Sequence, residues 1–277
     1  MHVDLDFSVL DENKLSYPNE DFISEQFDKD NNIETSNIIV IAGTQRSGST
    51  YLCDHIRSAG VCIPHEYFQP YGYMQALAER WECRKGNSID IVKYIKSLKL
   101  MRTGKAGWLG INIHAWHIPM FKKAMNFLNV DSIHYFHLVR GDILKQAISY
   151  EIASQIGNWS SHYSNNIEAK YNYNGILNKI KRIQDGNLDI SLFFAEKKIK
   201  YKLLFYEDII NKPSEIYNSL SVIGAPIEKE EEANLKKQSS AINKEWAETF
   251  VKDFGRDEQK EKKEKKNFLT RLIESVK

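Results

Sequence analysis

Residues 39–52, IVIAGTQRSGSTYL, set a run of buried-strand residues against a glycine-rich turn and the opening of a helical pattern. Gly43-Thr44-Gln45-Arg46-Ser47-Gly48 has the G-x-x-x-x-G spacing of a Walker A loop, and Thr50 stands where such a loop keeps its magnesium hydroxyl. The lysine between them is replaced by Ser49. A turn of this kind, between a first strand and a helix, aims backbone N–H groups and the positive end of the helix dipole at an anion.

Which anion follows from what is missing. A Walker lysine and magnesium neutralise the transferred phosphoryl of a nucleoside triphosphate, and here the only fixed cation inside the loop is Arg46. No strand ends in the apolar-run-then-Asp pattern that holds magnesium, Glu207-Asp208 after LLFY being the nearest. A sulfuryl group carries one charge fewer and is transferred without metal, so the loop suits a phosphosulfate better than a triphosphate.

The rest of the chain gives the frame. From Ile38 onward short apolar runs alternate with helical patterns, the signature of a parallel sheet covered by helices. Strands are expected at Ile38–Ala42, Val61–Ile63, Trp108–His114, Ile133–Val139 and in YKLLFYED (201–208). Helices are expected at Ser49–Ala59, 71–84, 88–102, 116–128, Asp142–Ile156 with Asp142 as cap, 175–198 with a break at Asp185-Gly186-Asn187, and Pro213–Ile223. The expected fold is a three-layer α/β sandwich with a mainly parallel central sheet and a P-loop-like first turn.

Composition bounds the function. The 277 residues, 42% apolar and 12% aromatic, make one large domain with tails: an acidic arm (1–37), a body (38–250) and a charged tail (251–277). The arm holds ten acidic and two basic side chains, net −8, which leaves +9 for the remainder of a chain of net charge +1. Such an arm is expected to be mobile or draped on the surface. The basic excess of the body fits small anions and is too modest for nucleic acid. Cys53, Cys62 and Cys83 are odd in number and lack zinc spacing, which points to small buried residues in a reducing cytoplasm. No run approaches the ~18 apolar residues of a membrane span, and no secretory leader is legible.

AGTQRSGST, then PHEYF, then HLVRGDILKQAIS and FYED, together resemble the bacterial sulfotransferases typified by trehalose 2-sulfotransferase, which draw on 3′-phosphoadenosine 5′-phosphosulfate (PAPS). The resemblance covers about residues 38 to 250. It implies that Thr44, Gln45, Arg46, Ser47, Gly48, Ser49 and Thr50 form the 5′-phosphosulfate loop, with Arg46 at the bond to be broken. It implies that Arg140 and Ser149 hold the 3′-phosphate, a role that the forked arginine suits, and that Glu66 is the general base. Glu66 follows the expected second strand, so strand ends alone bring Gly43, Glu66 and Arg140 to one crevice.

His65 is the rival base, but neighbours on an extended segment point apart. His114, at a strand end on the same edge, is a candidate acceptor contact, in a segment where the family usually has a lysine in place of Asn112. Trp81, Trp116 and Trp159 are flat surfaces that can stack on rings, Trp159 being the preferred contact. The histidine pairs 114/117 and 134/137 are not read as metal ligands, the second pair lying on opposite faces of a strand. The resemblance points to a carbohydrate or glycolipid hydroxyl as acceptor and allows a homodimer. Two other readings stay open: a small-molecule kinase with a degenerate P-loop, and a sugar- or nucleotide-binding member of the same fold without turnover.

Overall fold

The computed structural model describes residues 1–8, 17, 21–29, 32–157, 159, 167–230 and 242–256. Its elements run β1 (His2–Asp4), β2 (Asn37–Gly43), α1 (Ser49–Ser58), α2 (Tyr73–Arg80), β3 (Arg84–Lys85), β4 (Ser88–Asp90), α3 (Ile91–Arg102) and β5 (Trp108–His114). They continue with a 3-10 turn (Ala115–His117), α4 (Ile118–Met125), β6 (Ser132–Val139), α5 (Ile143–Ile156), α6 (Tyr173–Glu196), β7 (Tyr201–Phe205), α7 (Tyr206–Asn211) and α8 (Ser214–Val222). Residues 242–256 are helical.

Strands β5-β2-β6-β7 form a four-stranded sheet, parallel throughout, with helices on both faces: a three-layer α/β sandwich. The reason lies in β2. Ile38, Val40 and Ala42 enter one core with α2, α3 and α4, while Ile39 and Ile41 enter another with α1 and α8. A strand covered on both faces has no polar side to alternate with, which is why it reads as a continuous apolar run. Asp142 caps α5 by accepting from the Lys145 N–H, and Asp90 caps α3 through Val92 N–H and Lys93 N–H.

Besides Tyr206–Asp208, expected to end a strand and found opening α7, the structure differs from the sequence reading in four places. Val61–Ile63 is no strand of the sheet; the segment runs beside β5 and makes one parallel bridge, His65 to Ile111, because Pro64 has no N–H to continue a ladder. Residues 84–90 are a β-hairpin, not helix, since β4 pairs with both β3 and β1. The Asp185-Gly186-Asn187 turn signal is overridden by packing: α6 is unbroken, and Gly186 is the contact point where a Cβ would come within 2.8 Å of Thr44 Cγ2.

The fourth concerns residues 1–37, whose described part is built into the body. Val3, Phe7 and Ile23 are buried in the larger core. Arg102, fully buried, donates to Phe22 O and to Asp28 and so clamps residues 22–28 in place. The lysine-rich tail from 257 and half of the connection after α5, at 158 and 160–166, lie outside the described residues. No described helix is long and apolar enough to cross a membrane.

Candidate active site

Parallel strands deliver their ends to one edge, and the register fixes which atoms meet there. Gly43 lies opposite His114 on β5 and Leu138 on β6. Arg140 therefore leaves the sheet beside the loop that Gly43 begins.

The loop is held in an anion-binding shape. Arg46 has φ 61° and Gly48 φ 97°, left-handed conformations of the kind from which backbone anion sites are built, and the Ser47 N–H closes the turn on Thr44 O at 3.2 Å. Only glycine serves at 48, where a Cβ would also sit 2.3 Å from Tyr206 Cδ2. Ser49 and Thr50 open α1, whose first N–H groups have no partner within the helix.

Gln146 braces the turn from α5, its Nε2 donating to Thr44 Oγ1 at 2.9 Å and to Gln45 O at 2.8 Å. This residue escaped the sequence reading. Its signal was its place three residues before Ser149, which puts both on one helix face.

Two guanidinium groups converge on the loop. Arg46 Nε donates to Ser149 Oγ at 3.0 Å and one of its terminal nitrogens to Trp159 O at 2.6 Å. Arg140 donates to Arg46 O at 3.4 Å and lies over the Tyr206 ring at 4.7 Å. The carboxylates nearest Arg140 are engaged elsewhere. Glu207 accepts from the Gly141 and Asp142 N–H groups, and Asp142 pairs with Lys145 at 2.7 Å. Burial, and then the charge of Arg140, pull the Arg46 guanidinium down to about 10. Ser47 Oγ and Arg140 Nε are buried with no hydrogen-bond partner. This is cationic, donor-rich ground with too few protein acceptors, the condition under which a bound anion is stabilised.

Across the crevice stands Glu66. Its Oε1 lies 3.2 Å from His114 Nε2 and its Oε2 3.7 Å from His117 Nε2. The other nitrogen of His114 is 3.0 Å from Gly43 O, a pure acceptor, so Nδ1 carries a proton. A neutral ring with that proton would turn its Nε2 lone pair onto a carboxylate. The contact therefore holds a second proton, shared between His114 and Glu66.

The electrostatics agree with that count. Burial pushes the Glu66 carboxyl up, but the charge and hydrogen bond of His114, with smaller pulls from His117 and His65, bring it down to about 2. Burial lowers His114, and the charge and hydrogen bond of Glu66 with the Gly43 carbonyl raise it above 6.5. His117 accepts the His114 N–H at Nδ1, and burial keeps its ring neutral down to about 3.

The remaining sequence candidates fall apart from this pair. The His65 ring turns away from Glu66: its Nε2 meets Asp21 Oδ1 at 3.0 Å, among Phe22, Tyr67 and Tyr73. Trp159 is exposed, crosses Tyr150 edge-on, and meets the loop through its carbonyl. Trp81 is buried and donates to Asp28, which removes it as a stacking surface. Asn112 donates to Ser49 Oγ at 3.4 Å, so it braces the loop from β5. His134 stacks on Trp108, while His137 packs against Phe194 and Tyr201. Among the described residues no group of three or more His, Cys, Asp or Glu is arranged to hold a metal ion.

Comparison with known proteins adds three findings. No curated protein matches the chain. Solved structures similar to it include the sulfotransferase domain from the Synechococcus PCC 7002 olefin synthase, 14% identical with a TM-score of 0.42, over 80% of this chain and 98% of that one. Another is the sulfotransferase domain from the curacin biosynthetic pathway, 13% identical with a TM-score of 0.43, over 71% of this chain and 77% of that one. The family model described as Stf0 sulphotransferase matches residues 38–253, which take in the loop, Glu66, His114, Arg140 and Ser149, and the chain belongs to that family.

Proposed function

We propose that the protein moves a sulfuryl group from PAPS to a hydroxyl of a carbohydrate or glycolipid acceptor, as the bacterial sulfotransferases typified by trehalose 2-sulfotransferase do. The observation that carries the reading is the hydrogen bond from His114 Nδ1 to Gly43 O, because it ties the Glu66–His114 pair to the first residue of the anion loop. A base and an anion cradle that share a backbone atom are held in fixed relation. Fixed relation is what an in-line transfer between two oxygens requires.

The donor's anionic groups fit the ground described above. The loop N–H groups with Arg46, Ser47, Ser49 and Thr50 hold the 5′-phosphosulfate, and Arg140 with Ser149 takes the 3′-phosphate. The acceptor oxygen forms a bond to sulfur as the bond from sulfur to the 5′-phosphate oxygen breaks. Arg46 and the loop donors stabilise the charge that appears on that leaving oxygen.

The acceptor proton goes to Glu66. A lone carboxyl at about 2 is too weak a base for this at neutral pH. The pair is not: when it has lost its shared proton, the one taken by Glu66 ends on His114 Nε2, a site held above 6.5. Glu66 is the point of contact and His114 the store.

Calorimetry with adenosine 3′,5′-bisphosphate, followed by transfer from PAPS to a panel of sugars, tests the reading. Binding without magnesium is expected, and Arg46→Ala should cut transfer by about 10²–10³-fold. Binding of ATP that requires magnesium, with none of the bisphosphate, would point to a kinase and end the proposal.

A further inference from the structure

Beside Glu66 lies a feature that neither donor binding nor proton transfer uses. The Tyr71 and Trp116 rings stack 5.5 Å apart at 23°, and both stand open to solvent, Tyr71 by 70% and Trp116 by 36%. The two segments that present them are the two that deliver the base. Tyr71 closes the loop that begins at Glu66, and Trp116 sits in the 3-10 turn directly after His114.

Contact between platform and base is continuous. The Trp116 ring meets His117 at 4.2 Å and 65°, and His117 Nε2 is 3.7 Å from Glu66 Oε2. His117 is fully buried, its Nδ1 fixed by the His114 N–H, and its Nε2 has no hydrogen-bond partner. It thus leaves a donor beside the carboxylate and gives Trp116 a rigid support. Tyr71 is fixed from its own side, since its N–H and that of Tyr73 both donate to Gln69 Oε1 at 3.2 Å.

We propose that Tyr71 and Trp116 form the acceptor subsite: a pyranose ring lies with its C–H face on the solvent-open face of this stacked pair and one rim hydroxyl turned to Glu66. The proposal rests on the transfer reading above and names the residues that would receive its acceptor. An uncharged stacked pair with an open aromatic face offers nothing to a phosphate and no edge to pair with a peptide strand. A pyranose supplies both things the site can take, an apolar face for the rings and a hydroxyl for the carboxylate. Held this way, the ring orients its hydroxyl before transfer, so the platform acts through acceptor affinity.

The test uses the full-length protein saturated with adenosine 3′,5′-bisphosphate and the methyl pyranosides of glucose, galactose and mannose as probes, with p-nitrophenol as the planar aromatic control. Saturation-transfer NMR should mark the C–H protons of one face of at least one pyranoside. Tyr71→Ala, at a residue 70% exposed, should weaken that binding by at least about tenfold. Trp116→Ala should abolish it and Trp116→Phe should keep most of it, with bisphosphate affinity unchanged in all three. In turnover the loss should fall on KM for the sugar. A protein that binds the bisphosphate but whose pyranoside affinity is unmoved in Tyr71→Ala and Trp116→Ala overturns the platform alone. One that binds the bisphosphate and p-nitrophenol but no pyranoside overturns the ligand class. Absence of bisphosphate binding in the unaltered protein sinks the transfer reading and the platform with it.

Discussion

Replacing Glu66 by glutamine removes one charge, keeps the side-chain shape, and should reverse the titration of His114. In the unaltered protein His114 titrates above 6.5, because the carboxylate and the Gly43 carbonyl together outweigh burial. In Glu66→Gln burial is opposed by the carbonyl alone, so the ring should titrate below 6.5. The size of the coupling follows from the partner. Bringing a carboxyl from 4.5 to about 2 corresponds to about 3 kcal/mol of preference for its charged form. Since 24% of the Glu66 side chain reaches solvent, screening leaves about 1–2 kcal/mol of it as stability.

The sign of the pH dependence is then fixed. Glu66 is depressed in the folded state, so its contribution is present above 4.5 and is lost as pH falls toward about 2. His114 is raised, so its contribution is whole below 6.5 and is lost as pH climbs through its folded value. The unaltered protein should exceed Glu66→Gln most between pH 4.5 and 6.5. The other groups whose charge the carboxylate feels, His117 beside it, His65 turned toward Asp21 and the buried Cys53 thiol, stay in place in both proteins.

Proton NMR of the His114 Cε1–H resonance from pH 4 to 9, with denaturant unfolding across the same range, reads both effects. The transfer rate should rise with pH along a limb whose midpoint matches the His114 titration, and Glu66→Gln should lose about 10²–10⁴-fold. A His114 resonance that titrates identically in the two proteins, or below 6.5 in the unaltered one, would refute the shared proton and the relay built on it.

Two further outcomes test the scaffold. Gly186→Ala puts a methyl within 2.8 Å of Thr44 Cγ2 and 3.3 Å of Ala115 Cβ, so it should cost about 1–3 kcal/mol in denaturant unfolding and weaken bisphosphate binding through the displaced loop. Arg102→Met removes its hydrogen bonds to the Phe22 and Ser24 carbonyls and its ion pair with Asp28, which keeps Arg80 and the Trp81 N–H; a loss of about 3–5 kcal/mol is expected, with early proteolysis in residues 22–28.

Much of the frame was legible in order because its causes are local. Four consecutive β-branched residues before a glycine-rich turn give β2 and its loop wherever they occur, and Asp142 caps α5 through a bond three residues long. The 84–90 hairpin and the unbroken α6 were not legible. A two-residue strand exists only because β1 comes from the far end of the chain to pair with its partner, and Gly186 reads as a turn residue until Thr44 is seen pressed against it.

Sequence by itself determined that an anion loop with an internal arginine opens this sheet, and that Arg140 leaves a strand on the same edge. It identified Glu66 as a carboxylate near that edge, though by way of a strand the chain does not form. Only the tertiary structure decided what Glu66 faces. The register that sets Gly43 opposite His114 points one histidine at the carboxylate, while Asp21, brought in from the acidic segment, takes the other. Glu66 and His114 are 48 residues apart, and Tyr71 and Trp116 are 45 apart. No local pattern records such distances; hydrogen-bond register and core packing set them.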